Sequence, residues 1–380
     1  MFNFRQRFWG RKNARVQGFR IERPLVLLQS DDWGRVGVRD QEGYELLRAA
    51  GIRLGEHPYD FYTLETADDV NALHHLLKRH RDSTGRSACL GMNFVMANLD
   101  FQKIFKDGFS KMHLLPLGDG LPGNWKRPGL FESYRSGIKD GCFFPGLHGL
   151  THFCRIAVER ALMRDDQPSR LMRTLWSAET PYIHWRMPWV GYEYHNPEKP
   201  QRGFLPSGLQ IKFIQEAADL FAKFFAVRAS SACAPGYRGN DHTRSAWHEQ
   251  GIRVVQNGRG SPLPPHMDEF EMLNLHRTID FEPSQKDLPV EKYVQLAEGC
   301  FARGIPAIIS VHAINFHSSL KDFRSTSLTE LDELLTALER KFPNLLYVHD
   351  ADVYDIVNRG KFRSSGGIVS VSAKRLAADE

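Results

Sequence analysis

The chain predicts a single α/β domain built as a parallel β/α barrel of the TIM-like kind, on three observations. Strand-like apolar runs alternate with helix-periodic segments between the two ends of the chain, the pattern of parallel β/α units. Seven or eight such units fit into under 340 residues, which favours a closed barrel over an open doubly wound sheet. The first strand also lacks the Gly-x-Gly-x-x-Gly turn of a dinucleotide fold.

The expected strands are 24–30, 87–95, 142–147, 229–234, 252–256, 273–281, 306–312 and 345–349. Each is a short apolar run bounded by turn residues, as strands buried on both faces require. Helices fall between them. Over 67–80, Asp68 and Asp69 come early and Lys78, Arg79 and His80 late, as the helix dipole prefers. From Leu209 to Phe225, the set Leu209, Phe213, Leu220 and Phe224 marks one buried face. Ser327-Leu328-Thr329-Glu330 reads as a capping box opening a helix, and Asp350 reads as the N-cap of the helix running to Val357. Two stretches, about 98–140 and 177–207, are too long to be plain connections. The second holds Pro181, Tyr182, Trp185, Pro188, Trp189, Tyr192, Tyr194, Pro197, Pro200 and Phe204. Long loops on a barrel face shape clefts, and flat rings there suit stacking on sugars or packing the loop down.

Three regions follow: a basic N-terminal arm over 1–23, a catalytic barrel over 24–360 and a loose C-terminal tail over 361–380. Seven basic groups (Arg5, Arg7, Arg11, Lys12, Arg15, Arg20, Arg23) stand in the arm against Glu22 alone, a net +6. The whole chain carries +5, so the body is close to neutral and no nucleic-acid partner is expected of it. Phe4, Phe8 and Trp9 leave peripheral membrane contact through the arm open. No run of eighteen apolar residues and no secretory signal is read, and the five scattered cysteines (Cys89, Cys142, Cys154, Cys233, Cys300) suit reduced core thiols. A cytoplasmic location is the expectation.

The chemistry gathers at strand ends. Leu25-Val26-Leu27-Leu28 runs into two adjacent carboxylates, Asp31 and Asp32, and the strand ending near Leu147 runs into His148-Gly149-Leu150-Thr151-His152. An i, i+4 spacing puts both imidazoles on one face of a helical turn. Two imidazoles and one carboxylate suit a divalent cation that keeps open positions, and the spare carboxylate can serve as a base. Among 16 histidines about one such pair arises by chance, so the pair gains weight only from its strand-end context. His312 closes Ile308-Ile309-Ser310-Val311, either as a core imidazole or as a general acid, with Asp280 or Glu282 to orient it. In a parallel barrel all these groups share the C-terminal face.

Asp31-Asp32, His148-x-x-x-His152, Ala234-Pro235-Gly236-Tyr237-Arg238 and Ser310-Val311-His312, in that order, resemble the successive motifs of the polysaccharide deacetylase superfamily (NodB-homology, carbohydrate esterase family 4-like), in a divergent form. The resemblance spans about 24–350. It implies a distorted (β/α)7 barrel and a divalent metal, most often zinc. It also implies Asp31 as general base, Asp32, His148 and His152 as metal ligands, His312 as general acid, and the Tyr237 backbone amide as an oxyanion donor. The arginine usual before the proline of the third motif is replaced by Cys233-Ala234, and Arg238 is the candidate to reach back toward Asp31. Gly149 stands where serine or threonine is usual, and no clear fourth motif is visible. Trp33, Trp185, Trp189 and Asp280 complete the candidate substrate contacts.

The function implied is hydrolysis of an N-acetyl or O-acetyl group on a sugar, nucleotide sugar or glycan precursor. The alternatives are a cyclic amidase or glycoside hydrolase on the same barrel, and a carbohydrate-binding protein with impaired catalysis. A glycosidase would need two flanking carboxylates. An iron oxygenase shares the ligand set but normally uses an antiparallel barrel.

Overall fold

The computed structural model describes residues 17–197, 203–258, 260 and 263–376. The expected groups Phe4, Arg5, Arg7, Phe8, Trp9, Arg11, Lys12, Arg15 and Pro200 lie outside them, as do 377–380. Among the described residues, no helix is long and apolar enough to cross a membrane.

Among the described residues, nine strands form the curled, parallel sheet: β1 (Leu25–Trp33), β2 (Leu90–Phe94), β3 (Phe143–Leu147), β4 (Ser231–Cys233), β5 (Val254–Asn257), β6 (Leu273–His276), β7 (Ile279–Asp280), β8 (Ala307–His312) and β9 (Leu346–Tyr347). Their order is β7-β8-β1-β2-β3-β4-β5-β6, with β9 also paired to β1. All these pairings are parallel. The expected strand 273–281 is in fact two. Its first half pairs with β5 and its second with β8, so one kinked segment joins the two ends of the sheet. Helices Ala67–Arg79, Ser207–Phe225, Val290–Phe301 and Arg324–Lys341 are among those that lie between strands in the chain. Every residue of β1 is buried, as a strand covered on both faces must be.

Several local expectations are corrected. Residues 361–376 are not loose: Lys361–Ser364 and Gly367–Ser370 form a hairpin, and Ala373–Arg375 pairs with Gln17–Ile21. Phe362 and Val371 bury against Leu25, Leu346 and Ile356, and that apolar contact holds the segment down. Part of the arm is therefore a strand, Gln17–Ile21, which also pairs with His266–Met267. The helix expected at Ser327 starts three residues earlier, at Arg324, and Ser327 is buried inside it. On Ser207–Phe225 the buried set is Gln210, Phe213, Ile214, Ala217, Ala218 and Phe221, a face turned by about one residue from the expected one. His349 caps the last long helix (Asp350–Arg359), accepting from the Asp352 amide, while the Asp350 side chain turns into the barrel.

Candidate metal centre

The two aspartates reach one cavity because β1 breaks its own pleat. Neighbouring side chains on a regular strand point to opposite faces. Here the register to β2 shifts between Ser30 and Trp33, and Asp32 takes a left-handed conformation at φ 76°. That geometry is strained for a residue with a Cβ, though aspartate tolerates it better than most. The Tyr62 hydroxyl donates to the Asp32 carbonyl at 2.8 Å and supports the bend. Both carboxylates consequently line a cavity of about 280 Å³ together with His148, His152 and His312.

The histidine pair is not on a helix, contrary to the spacing argument. His148 to His152 is an irregular loop whose shape is set by a residue far away in the sequence. Glu193 is fully buried, and its carboxylate accepts the amides of Leu150 and Thr151, each at 3.0 Å. Burial pushes Glu193 up to about 7, against those amide hydrogen bonds. Gly149 adopts φ +85°, and a Cβ there would overlap Glu193 Oε2. The departure from serine or threonine at this position thus has a steric cause.

The loop leaves His148 Nε2 3.6 Å and His152 Nε2 3.2 Å from Asp32 Oδ1. The three donors lie within 4.8 Å of one another. His148 Nδ1 lies 2.9 Å from the Cys233 carbonyl, which can only accept, so the proton sits on Nδ1 and Nε2 keeps its lone pair. Asp32 Oδ1 is buried and has no hydrogen-bond partner among the described residues, a costly state for a carboxylate oxygen that an ion would relieve. The donor set therefore fits a divalent cation. Arg35 flanks it, with Nη2 3.4 Å from Asp32 Oδ2 and Nη1 3.1 Å from His152 Nδ1. A guanidinium only donates, so His152 Nδ1 accepts here and its proton sits on Nε2; His152 ligates a cation only with that proton moved to Nδ1, where the Tyr182 hydroxyl at 2.8 Å can accept it. Its guanidinium packs 4.0 Å over the Tyr62 ring. Burial raises the Asp32 carboxyl, but the charge of Arg35 holds it well below the ordinary carboxylate range.

Asp31 is held differently. Arg277 grips it with two parallel bonds, Nη1 to Oδ2 and Nη2 to Oδ1, both 2.7 Å, and Asn93 Nδ2 donates to Oδ1 at 2.7 Å. Burial again works upward, and Arg277 outweighs it, keeping Asp31 ionised. Arg277, and not Arg238, is thus the arginine set against this carboxylate. It sits on the kink between β6 and β7, while Arg238 lies on the outer trough. The Tyr237 amide is engaged in its own turn, donating to the Ala234 carbonyl at 2.8 Å, so the expected amide donor is taken. Its phenol takes part instead, accepting from Arg277 at 2.7 Å and lying 3.4 Å from Asp31 Oδ2.

His312 ends β8 across the cavity, with Nδ1 2.5 Å from Glu282 Oε1. Burial lowers it, but Glu282 dominates and raises it to about 9. Glu282 is itself held by Asn315 Nδ2 at 2.6 Å. Asp280 lies in a neighbouring trough near Lys286, and the carboxylate on His312 Nδ1 is that of Glu282.

The tryptophans divide. Trp185 lines the cavity beside Tyr59, Tyr182 and Tyr192. Trp33 is fully buried, donates to Ser30 Oγ at 2.8 Å and packs on Phe316, so it belongs to the core. Trp189 is partly buried against that core. Arg277, Glu193, Asn93 and Arg35 escaped the sequence reading. Only Arg277 carried a signal, as an arginine beside His276 between the apolar strand residues Leu275 and Ile279.

Fold and site together define a β/α-barrel protein with a two-histidine, one-carboxylate centre at the C-terminal ends of its strands. No protein-family model and no curated protein matches the chain. Among solved structures, the chain is similar to a putative polysaccharide deacetylase from Mycobacterium smegmatis, with TM-score 0.46, 12% identity, and 88% of this chain and 90% of that one covered. It is similar to Puue allantoinase, with TM-score 0.45, 10% identity and 89% and 92% covered. It is also similar to a probable polysaccharide deacetylase from Pseudomonas aeruginosa, with TM-score 0.43, 12% identity and 89% and 92% covered.

Proposed function

We propose that this chain is a metal-dependent hydrolase that removes an N-acetyl or O-acetyl group from a sugar or glycan precursor, acting on a carbon–nitrogen bond other than a peptide bond in the first case. The observation that carries the reading is Asp32 Oδ1, buried and without a hydrogen-bond partner among the described residues, within reach of His148 Nε2 and His152 Nε2. Asp32, His148 and His152 would hold zinc, which when bound acts as a Lewis acid on an acyl carbonyl and on water. Asp31 is the base: it is ionised, lines the cavity and is fixed in place by Arg277 and Asn93, which orient it in advance while Arg277 makes it a weaker base than a free carboxylate. His312, kept protonated by Glu282, gives its proton to the departing amine or alcohol oxygen. Trp185, Tyr59 and Tyr192 offer faces for a sugar ring, and Asp280 and Arg238 flank its continuation into the open trough.

Arg277 bears on the non-catalytic alternative. The arginine absent before Pro235 favours that alternative, but a bidentate arginine reaches Asp31 from the kink between β6 and β7. For a glycosidase, Glu282 is already engaged by His312 and Asn315. A cytoplasmic protein would meet a nucleotide sugar or lipid-linked intermediate more readily than a mature wall polymer.

The test combines elemental analysis with acetate release from an N-acetylated chito-oligosaccharide and from an O-acetylated sugar. The expected result is one zinc per chain, lost in the His148→Ala, His152→Ala variant. Asp31→Asn should keep the zinc and lose turnover. An Asp31→Asn protein that releases acetate at the wild-type rate would overturn the assignment.

A further inference from the structure

Beneath Asp31 the barrel is filled by polar side chains where apolar ones would be expected. Gln29, Asn93, Ser231, Gln256 and Asp350 are each at most 2% exposed. Asp350 opens the helix Asp350–Arg359, yet its carboxylate enters the barrel. Oδ1 accepts from Gln29 Nε2 at 2.6 Å, and Oδ2 accepts from Ser231 Oγ at 2.5 Å and Gln256 Nε2 at 2.6 Å.

A carboxamide has one donating end and one accepting end, while a carboxylate accepts only. With Asp350 below, both glutamines must turn their NH2 groups down and their oxygens up. Those oxygens meet Arg277, which can only donate. Gln29 Oε1 accepts from Arg277 Nε at 3.2 Å, and Gln256 Oε1 accepts from Arg277 Nη2 at 3.0 Å and Asn93 Nδ2 at 2.7 Å. Arg277 and Asn93 then donate upward to Asp31.

We propose that Asp350 is a positioning residue for Asp31, acting through the orientation of Gln29 and Gln256 and the seating of Arg277. The proposal rests on the reading of Asp31 as the base. Exchanging Asp350 for asparagine puts an NH2 group where an acceptor stood, facing the NH2 of Gln29 or Gln256. One glutamine must then turn over and present a donor to Arg277. Gln256→Glu in the same chain removes that conflict with Asp350→Asn, because a carboxylate accepts at both ends, and it restores the charge of the cluster, at the loss of the bonds from Gln256 Nε2 to Asn93 Oδ1 at 3.1 Å and Ser231 Oγ at 2.9 Å.

The experiment follows the zinc-loaded full chain by two routes. The first is ¹⁵N NMR of the Arg277 guanidinium, assigned by its loss in Arg277→Lys. Separate, slowly exchanging Nη signals are expected in the wild type, broadened in Asp350→Asn and sharp again in Asp350→Asn/Gln256→Glu. The second is acetate release from tri-N-acetylchitotriose. There kcat should fall about tenfold in Asp350→Asn with KM and zinc content unchanged, and recover in the double variant. Arg277 signals in Asp350→Asn that match the wild type would overturn the proposal. So would a double variant no sharper than Asp350→Asn. If Asp350→Asn does not fold, the double variant decides alone: folded with sharp signals supports the relay, and unfolded or broadened refutes it. If no form releases acetate, the hydrolase reading is what fails, and the NMR comparison still decides the role of Asp350.

Discussion

Replacing Glu282 with glutamine tests whether His312 is the acid, and the structure sets the size of the effect. The imidazole Nδ1 lies 2.5 Å from Glu282 Oε1, and that carboxylate lifts His312 from its ordinary 6.5 to about 9 against the opposing influence of burial. At roughly 1.4 kcal/mol per pH unit, the imidazolium is favoured by about 3 kcal/mol. Glutamine keeps the shape and a weaker hydrogen bond but removes the charge, so the His312 value should fall, with burial no longer opposed by Glu282. If the imidazolium protonates the leaving group, wild-type kcat/KM for acetate release should hold until about pH 9, and the variant should decline from near neutrality. A ¹³C titration of the His312 ring would show the same displacement without any substrate. Stability gives an independent reading of sign. The folded value lies above the unfolded one, so the contribution is fully present below about 6.5 and is lost as pH rises through about 9. The urea-measured difference between wild type and variant should therefore be largest at pH 6 and absent beyond pH 9. It should also be smaller than 3 kcal/mol, because the His312 side chain is 26% exposed and partly screened. Alkaline limbs that superimpose would remove His312 from the mechanism.

Two further outcomes follow from the same geometry. Arg277→Met leaves Asp31 as a buried anion without its main partner, which should cost about 3–5 kcal/mol in urea unfolding and abolish acetate release. A variant within 1 kcal/mol of wild type, roughly the value of an exposed pair, would show that the bidentate contact carries little. Gly149→Ala forces a Cβ into Glu193 Oε2 at φ +85°. It should lower stability by about 1–3 kcal/mol and loosen zinc, read by thermal melting and by competition with a chelator. Glu193→Gln in the same chain should restore little, because the steric conflict remains.

Much of this protein is legible in its residue order. Apolar runs buried on both faces and helix-periodic stretches identify the parallel strands and their order in the chain, since burial pattern is a local property. Strand direction alone then gathers Asp31, Asp32, His148 and His312 at one end of the sheet. The bounds that failed are those set by long-range packing, such as the start of Arg324–Lys341 and the hairpin after Lys361.

What only the tertiary structure decides is the partner of each charge. Asp31 is 246 positions from Arg277, Leu150 is 43 from Glu193, and Gln29 is 321 from Asp350. No spacing rule links such pairs, because their proximity comes from the curling of the sheet and not from the pitch of a helix or strand. The bend that turns Asp31 and Asp32 into one cavity is likewise a product of register against β2 and of support from Tyr62. Residue order therefore determines which acids and imidazoles stand at the strand ends. The folded barrel determines which of them are paired, protonated or left open for an ion, since buried charges take their state from neighbours that only the fold supplies.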